Sequence, residues 1–159
     1  MKYLMLLITS LFANPVNTLS AEGFELEWEH AGESVRFTLS APTDGWVAIG
    51  FTENEDIMDS NLIMLKVDDN QVYGEDQYVV GFGKHPTVES LGEEPRIFNL
   101  SGEEKDKETT VSFSITKEKL DEYHFDLSEG KEINIWLAWS VSDDFDHHSR
   151  KRILRRIEL

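Results

Sequence analysis

Cysteine is absent from the 159-residue sequence. The chain therefore forms no disulfide, no thiolate metal site and no thioether link to a prosthetic group. Long apolar runs are absent too, and no segment reaches the roughly twenty apolar residues that a membrane-spanning helix needs. Positive charge is scarce, with 15 lysines and arginines against 31 aspartates and glutamates and a formal net charge of −16. This balance disfavours nucleic acids and anionic membrane surfaces as partners.

The first residues have the composition of a secretory signal. Lys2 precedes an apolar run over residues 3–8, and the following, more polar segment ends with the small residues Ser20 and Ala21. We therefore expect a leader over residues 1–21, export to the periplasm or out of the cell, and one mature domain over residues 22–159. A domain of that length has room for its own core, and without disulfides it depends on that core or on a bound ligand for stability.

Alternation of apolar and polar residues predicts an N-terminal hairpin. Phe24, Leu26 and Trp28 alternate with glutamates, and after a turn near Gly32 the pattern repeats over residues 35–39. Residues 46–51 and 61–67 are apolar at consecutive positions, which is typical of strands packed on both faces.

The rest of the chain continues as short strands separated by turn signals. The strongest pattern covers residues 132–141, which we expect to form an interior strand together with residues 46–51. The only helix predicted is short and covers residues 116–123, with Thr116 as its N-cap. Weaker strands are predicted around residue 72 and over residues 78–82, 96–100, 110–115 and 152–159. This order predicts an all-β fold, an antiparallel immunoglobulin-like β-sandwich.

Sequence signatures of common enzymes are missing. The chain has no G-x-S-x-G elbow, no H-E-x-x-H and no phosphate-binding loop, so we do not expect an enzyme. Aspartates at 56, 59, 68 and 69 lack the regular spacing of a calcium-binding loop and are typical of solvated turns.

A set of motifs in order along the chain resembles the DOMON domain family. Residues 44–51 (DGWVAIGF) match its glycine-tryptophan strand, and residues 58–61 (MDSN) match the loop that opens the next strand. The remaining matches are residues 76–78 (DQY) with Pro86, residues 135–139 (IWLAW) and residues 144–148 (DFDHH). Three details depart from the family pattern: Leu137 separates Trp136 from Ala138, His147 stands where an aromatic residue is usual, and the basic run at residues 150–152 lacks the glycine that often follows.

The resemblance implies a b-type haem or a sugar as the ligand. In cytochrome members of the family, a methionine and a histidine from the matching loops ligate the haem iron, and the positions here are Met58 and His148. A thioether and an imidazole are a usual axial pair for electron-transfer haem. The alternative for Met58 is core packing, the alternative for His148 is a solvated loop residue, and His147 is the competing ligand.

Further residues are candidates for the walls of such a pocket. The aromatic candidates are Trp46, Phe51, Trp136 and Trp139, with core packing as the alternative for each. Arg150, Lys151 and Arg152 follow the matched histidine, and we expect Arg150 and Arg152 to pair with the haem propionates; a solvated edge strand is the alternative reading of the basic segment. The expected partner is a redox protein with a basic docking surface. The rival functions are a carbohydrate-binding module and an accessory subunit of a redox enzyme.

Overall fold

A computed structural model describes residues 15–159 and contains ten strands and one short 3-10 helix, Val88–Leu91. In chain order the strands are β1 (Asn17–Ala21), β2 (Phe24–Ala31), β3 (Ser34–Ala41), β4 (Val47–Thr52), β5 (Asn61–Asp68), β6 (Gln71–Tyr78), β7 (Ile97–Lys105), β8 (Glu108–Thr116), β9 (Glu132–Trp139) and β10 (Lys151–Glu158). They form two five-stranded antiparallel sheets in the orders β1-β2-β3-β8-β7 and β10-β9-β4-β5-β6. The predicted antiparallel sandwich is confirmed.

The N-terminal hairpin forms as its alternation predicts. In β2, Phe24, Leu26 and Trp28 are buried while the intervening glutamates face solvent. Trp28 lies opposite Phe37 on β3, so both apolar rows point into the space between the sheets. The ring of Phe37 lies 5.3 Å from that of Phe51 on β4, in the opposite sheet. These contacts belong to the main core.

The two strands predicted to lie in the interior of a sheet do so. All six residues of β4 are buried, and the strand pairs with β5 on one side and with β9 on the other. β9 in turn lies between β4 and β10, which leaves β10 as an edge strand. The continuous apolar run of β4 therefore reflects packing on both faces of the second sheet.

The predicted helix over residues 116–123 does not form. Thr116 ends β8, and tertiary contacts fix the following segment: the backbone N–H of Lys117 donates to the carbonyl of Glu33, and that of Leu127 donates to the carbonyl of Lys117. The carboxylate of Asp121 accepts hydrogen bonds from the backbone N–H groups of Tyr123 and His124. These contacts, some with residues far away in the sequence, hold the segment in an irregular conformation instead of a helix.

Two strand boundaries also differ from the prediction. Residues 72–78 belong to one continuous strand, β6, and the chain then turns back so that Thr87 bridges to Gln77. β7 extends through the charged segment to Lys105, with an irregular register between Phe98 and Ser101. Charged residues are compatible with β7 because it is an edge strand with an exposed face.

Strand β1 lies inside the segment predicted to be a leader. Its five residues pair in register with β2, and Leu19 and Ala21 pack against the main core. The folded domain thus includes residues on the N-terminal side of the expected boundary at residue 22. The apolar run at residues 3–8 lies outside the described residues.

Candidate functional site

The second sheet carries a separate apolar cluster on the face that points away from the first sheet, here called the outer face. Its buried members, the outer cluster, are Trp46, Ala48, Leu62, Met64, Val79 and Ala138. The cluster exists because β4, β5 and β9 are apolar at consecutive positions, so alternate residues supply the main core and the outer face.

Small residues occupy the middle of the outer face. Ala48 on β4 lies between Ala138 on β9 and Met64 on β5, and two residues along the strand Gly50 lies between Trp136 and Leu62. A Cβ atom at Gly50 would lie 3.4 Å from Cβ of Trp136 and 3.6 Å from Cδ1 of Leu62, which is ordinary van der Waals contact. Because Gly50 has no side chain, the surface is shallow here. This shallow apolar surface, formed by Ala48, Gly50 and Ala138, is here called the floor.

One loop approaches the outer face from the end of β4. This Met58 loop covers residues 53–60, and the side chain of Met58 is half-buried against the outer cluster. The carboxylate of Asp56 accepts a hydrogen bond from the backbone N–H of Met58 at 3.0 Å, and the N–H of Asp59 donates to the carbonyl of Val79 at 3.0 Å. These bonds fix the backbone on both sides of Met58.

A second loop reaches the same face from the opposite end of the sheet. This His148 loop covers residues 141–150, joins β9 to β10 and places Phe145 against the outer cluster. The Ser140 hydroxyl donates to the carbonyl of His148 at 3.2 Å. The imidazoles of His147 and His148 are both exposed. Since Met58 and Phe145 both contact the outer cluster, the two loops lie over one face.

Comparisons with known proteins identify the family. The family model described as the DOMON domain matches residues 20–143. The chain belongs to the DOMON family. No match was found among curated protein sequences.

Two solved structures share the fold of this DOMON domain. One is the cytochrome domain of cellobiose dehydrogenase from Myriococcum thermophilum, with 12% identity, a TM-score of 0.67, and coverage of 91% of this chain and 82% of that one. The other is the cytochrome b domain of pyranose dehydrogenase from Coprinopsis cinerea, with 8% identity, a TM-score of 0.65, and coverage of 85% and 76%. At these identities the likeness concerns the fold.

The aromatic residues proposed as pocket walls divide between the two faces of the sheet. Trp46 and Trp136 lie on the outer-face side. Phe51 is fully buried in the main core, and Trp139 packs against the same core. Phe51 and Trp139 therefore point away from Met58, and core packing accounts for both.

The basic residues after His148 do not all lie on the outer face. Arg152 lies opposite Ala138 in the register, so its exposed side chain is on the outer face at the edge of the floor. Arg150 is exposed and its backbone N–H donates to the carbonyl of Trp139 at 2.8 Å. Lys151 instead pairs with Glu22 at 3.3 Å, away from the outer face.

The residues present on this face fit a flat apolar prosthetic group. The central residues of the face are small and apolar, Met58 brings a soft thioether donor against the outer cluster, and the His148 loop at the opposite end of the sheet carries an exposed imidazole. The indole N–H groups of Trp46 and Trp136 are buried and have no hydrogen-bond partner among residues 15–159, but the same is true of Trp28 and Trp139 on the main-core side, so these donors do not single out the outer face. No group of three or more His, Cys, Asp or Glu in this part of the chain forms a metal site.

A polar cavity of about 570 Å³ adjoins the outer cluster at Phe145. The ammonium of Lys66 lies 5.5 Å from the ring centroid of Phe145 and 5.9 Å from that of Tyr73. Burial raises the pKa of the neighbouring Asp143 carboxyl, an effect opposed by the charge of Lys66. The walls of the cavity are formed by Lys66, residues 73–75, Gln77, residues 85–87 and residues 143–146. The sequence did not predict this cavity, because its walls come from four separate segments.

A buried polar network supports the strand that follows the Met58 loop. The amide of Asn61 donates to Oδ1 of Asp76 at 2.6 Å, and the backbone N–H of Arg96 donates to Oδ2 of Asp76 at 2.8 Å. His124 contacts the same carboxylate, although this histidine lies outside the family motifs. The first two positions of the network, 61 and 76, carry the asparagine and aspartate of the matched motifs.

Within residues 15–159, no helix is long and apolar enough to cross a membrane.

Proposed function

We propose that this DOMON domain binds one b-type haem on the outer face and serves as a non-enzymatic electron carrier. The observation that carries the proposal is that two loops from opposite ends of the sheet both contact the outer cluster, through Met58 and Phe145. One loop contributes a methionine and the other a histidine. The two solved neighbours, described as cytochrome domains, support the same function by their shared fold.

Met58 and His148 are the proposed ligands. A bound haem supplies reversible one-electron chemistry, and a thioether ligand favours the reduced iron. Met58 is already held against the apolar floor, with its backbone fixed by Asp56 and Val79. His148 lies on the exposed loop, where its backbone carbonyl accepts a hydrogen bond from Ser140. With two protein ligands no open position remains for a substrate, which favours electron transfer.

Other residues of the chain have proposed roles around the group. We assign Arg152, which lies beside Ala138, and Arg150 to the negatively charged propionates, which they would hold by charge-assisted hydrogen bonds. Trp46 and Trp136 offer unpaired indole N–H donors on the same side of the sheet. Phe145 and the other apolar residues exclude water from the floor. We also propose export to the periplasm or outside the cell, and a redox protein with a basic surface as the partner.

The decisive experiment is a visible spectrum of the full chain expressed with haem available. We expect a Soret band and a low-spin spectrum that survives gel filtration. Replacing His148 with Ala removes the nitrogen donor and reduces haem retention strongly, whereas Met58→Ala keeps the haem but gives a high-spin spectrum, affinity for carbon monoxide and a lower reduction potential. Circular dichroism separates these effects from loss of the fold.

Two variants serve as controls. His147→Ala, next to the proposed ligand and equally exposed, leaves the spectrum intact, and Met64→Leu, in the outer cluster, keeps the ligand set. A low-spin spectrum and an unchanged potential in Met58→Ala would assign Met58 to packing alone. If the folded wild-type chain takes up no haem, the carbohydrate-binding function takes precedence, and oligosaccharide binding near Tyr73 and Gln77 becomes the next measurement.

A further inference from the structure

Phe82 is fully exposed at the tip of a tight turn, here called the Phe82 turn (residues 81–84). The turn is closed by two backbone hydrogen bonds of 3.0 Å, from Val80 N–H to the Lys84 carbonyl and from Lys84 N–H to the Gly81 carbonyl. Gly83 has a φ of 64°, a conformation in which glycine has no Cβ penalty. Val80, two residues before Phe82, is also exposed. An ordered turn thus presents an aromatic side chain to solvent.

The Phe82 turn is attached directly to the Met58 loop. Val79 pairs with the loop through two hydrogen bonds of 3.0 Å, one from Asp59 N–H to its carbonyl and one from its own N–H to the carbonyl of Ser60. The side chain of Val79 is buried in the outer cluster, and Met58 packs against the same cluster. Phe82 therefore projects from a short arm whose base lies beside Met58.

The surface next to this arm is strongly acidic. The Met58 loop carries four exposed carboxylates and no basic residue; they belong to Glu53, Glu55, Asp56 and Asp59. Lys84 is the basic residue of the Phe82 turn. An apolar centre beside a charged rim is the usual composition of a specific protein interface. Aromatic side chains near the centre of an interface often dominate its binding energy.

We propose that the Phe82 turn and the carboxylates of the Met58 loop form the docking surface for a positively charged electron-transfer protein. Phe82 enters an apolar recess of that partner, and the carboxylates steer the approach and fix its orientation. The inference rests on the proposed function, because it identifies the route by which electrons leave the Met58 side of the site. Phe98, an exposed phenylalanine on β7 in the first sheet, lies away from the Met58 loop and serves as the comparison.

The test uses the full chain and a basic c-type cytochrome as the probe, with binding followed by NMR titration and by stopped-flow kinetics at several salt concentrations. Phe82→Ala weakens binding by about tenfold, mainly through faster dissociation. The double variant Glu53→Gln/Glu55→Gln slows association at low salt and flattens its salt dependence, since fewer charges remain to be screened.

Matched controls lie on the first sheet. Phe98→Ala, and the double variant Glu27→Gln/Glu103→Gln with the same loss of charge, leave binding within about twofold of wild type. The inference is overturned if the wild-type chain does not bind the probe, or if Phe82→Ala and Phe98→Ala bind it equally well. Loss of the proposed function is read separately, as absence of a Soret band, because the NMR titration reports docking with or without haem.

Discussion

Nε2 of His124 lies 2.9 Å from Oδ2 of Asp76, which joins the connection between β8 and β9 to strand β6. The other ring nitrogen, Nδ1, lies 2.7 Å from Oδ1 of Asp121. Asp121 also pairs with Arg96 at 3.1 Å. Ionised carboxylates only accept hydrogen bonds, so the buried imidazole satisfies both by carrying a proton on each nitrogen. His124 is therefore a buried imidazolium between two carboxylates.

This arrangement predicts that stability falls as the pH rises above about 6.5. Burial alone lowers the pKa of His124, but the hydrogen bonds and charges of Asp76 and Asp121 outweigh it, so its pKa is raised. A raised folded pKa gives a contribution that is complete below the unfolded value of about 6.5 and is lost as pH rises through the folded value. Urea unfolding of wild type should lose free energy over that range, and His124→Gln should not.

His124→Gln should also lower the free energy of unfolding relative to wild type at a pH where the wild-type contribution is complete. Near pH 6, this substitution leaves the buried Asp76 carboxylate without a cation and Asp121 with Arg96 alone, and should lower the free energy of unfolding by roughly 3 kcal/mol. His147→Gln, at an exposed position, is the control and should change it by less than about 0.5 kcal/mol. Parallel pH profiles for wild type and His124→Gln would contradict the assignment of a charged imidazole.

A larger side chain at position 50 should occupy the shallow apolar surface of the outer face and so hinder binding of a ligand there. The first carbon of a new side chain fits beside Trp136 and Leu62, so Gly50→Ala should fold and retain haem. Gly50→Leu extends further over Ala48 and Ala138 and should reduce haem affinity by at least about tenfold, equivalent to about 1.4 kcal/mol. Haem titration followed at the Soret band gives the affinity, and thermal unfolding monitors the fold. Equal affinities for the alanine and leucine variants would place the ligand elsewhere.

Gly45→Ala should be strongly destabilising. A Cβ atom there would lie 2.5 Å from the carbonyl oxygen of Ser140 and 2.5 Å from the nitrogen of Ser142, which are backbone atoms where β9 leads into the His148 loop. We expect a loss of about 2 to 4 kcal/mol in urea unfolding. Gly32→Ala is the comparison, since nothing lies within 4 Å and only its φ of 60° opposes a side chain, at about 1 to 2 kcal/mol. Similar losses for both variants would mean that the backbone at Gly45 relaxes freely.

Strand β1 should contribute to stability. A chain that begins at residue 15 keeps the pairing of β1 with β2, whereas one that begins at residue 22 loses it together with the contacts of Leu19 and Ala21. The shorter chain should be less stable by about 2 kcal/mol, from the apolar surface that β1 covers. Thermal unfolding of the two chains provides the comparison. Equal stability would be compatible with a mature domain that begins at residue 22.

Much of the fold follows from local patterns. The alternation at Phe24, Leu26 and Trp28 depends only on which side chains need burial, so it predicts β2 and its inward face. The helix over residues 116–123 was predicted wrongly because the partners of that segment, including Asp76 and Arg96, are distant in sequence. Local propensity does not contain that information.

The sequence predicted the two loops of the candidate site better than it predicted which aromatic residues line it. Motif order singled out Met58 and His148 as candidates. Trp136 and Trp139 are three residues apart on one strand and so point to opposite faces, which means that both cannot line one pocket. β4 is apolar on both faces, so its sequence alone does not say whether Trp46 or Phe51 faces the main core.

The two faces of the second sheet contribute to two separate apolar clusters. Its inner side completes the main core with the first sheet, and its outer side carries a different apolar cluster under the two loops. Substitutions on the outer side therefore leave the packing between the sheets in place. The outer face can thus change its shape and polarity without removing a side chain from the contact between the two sheets.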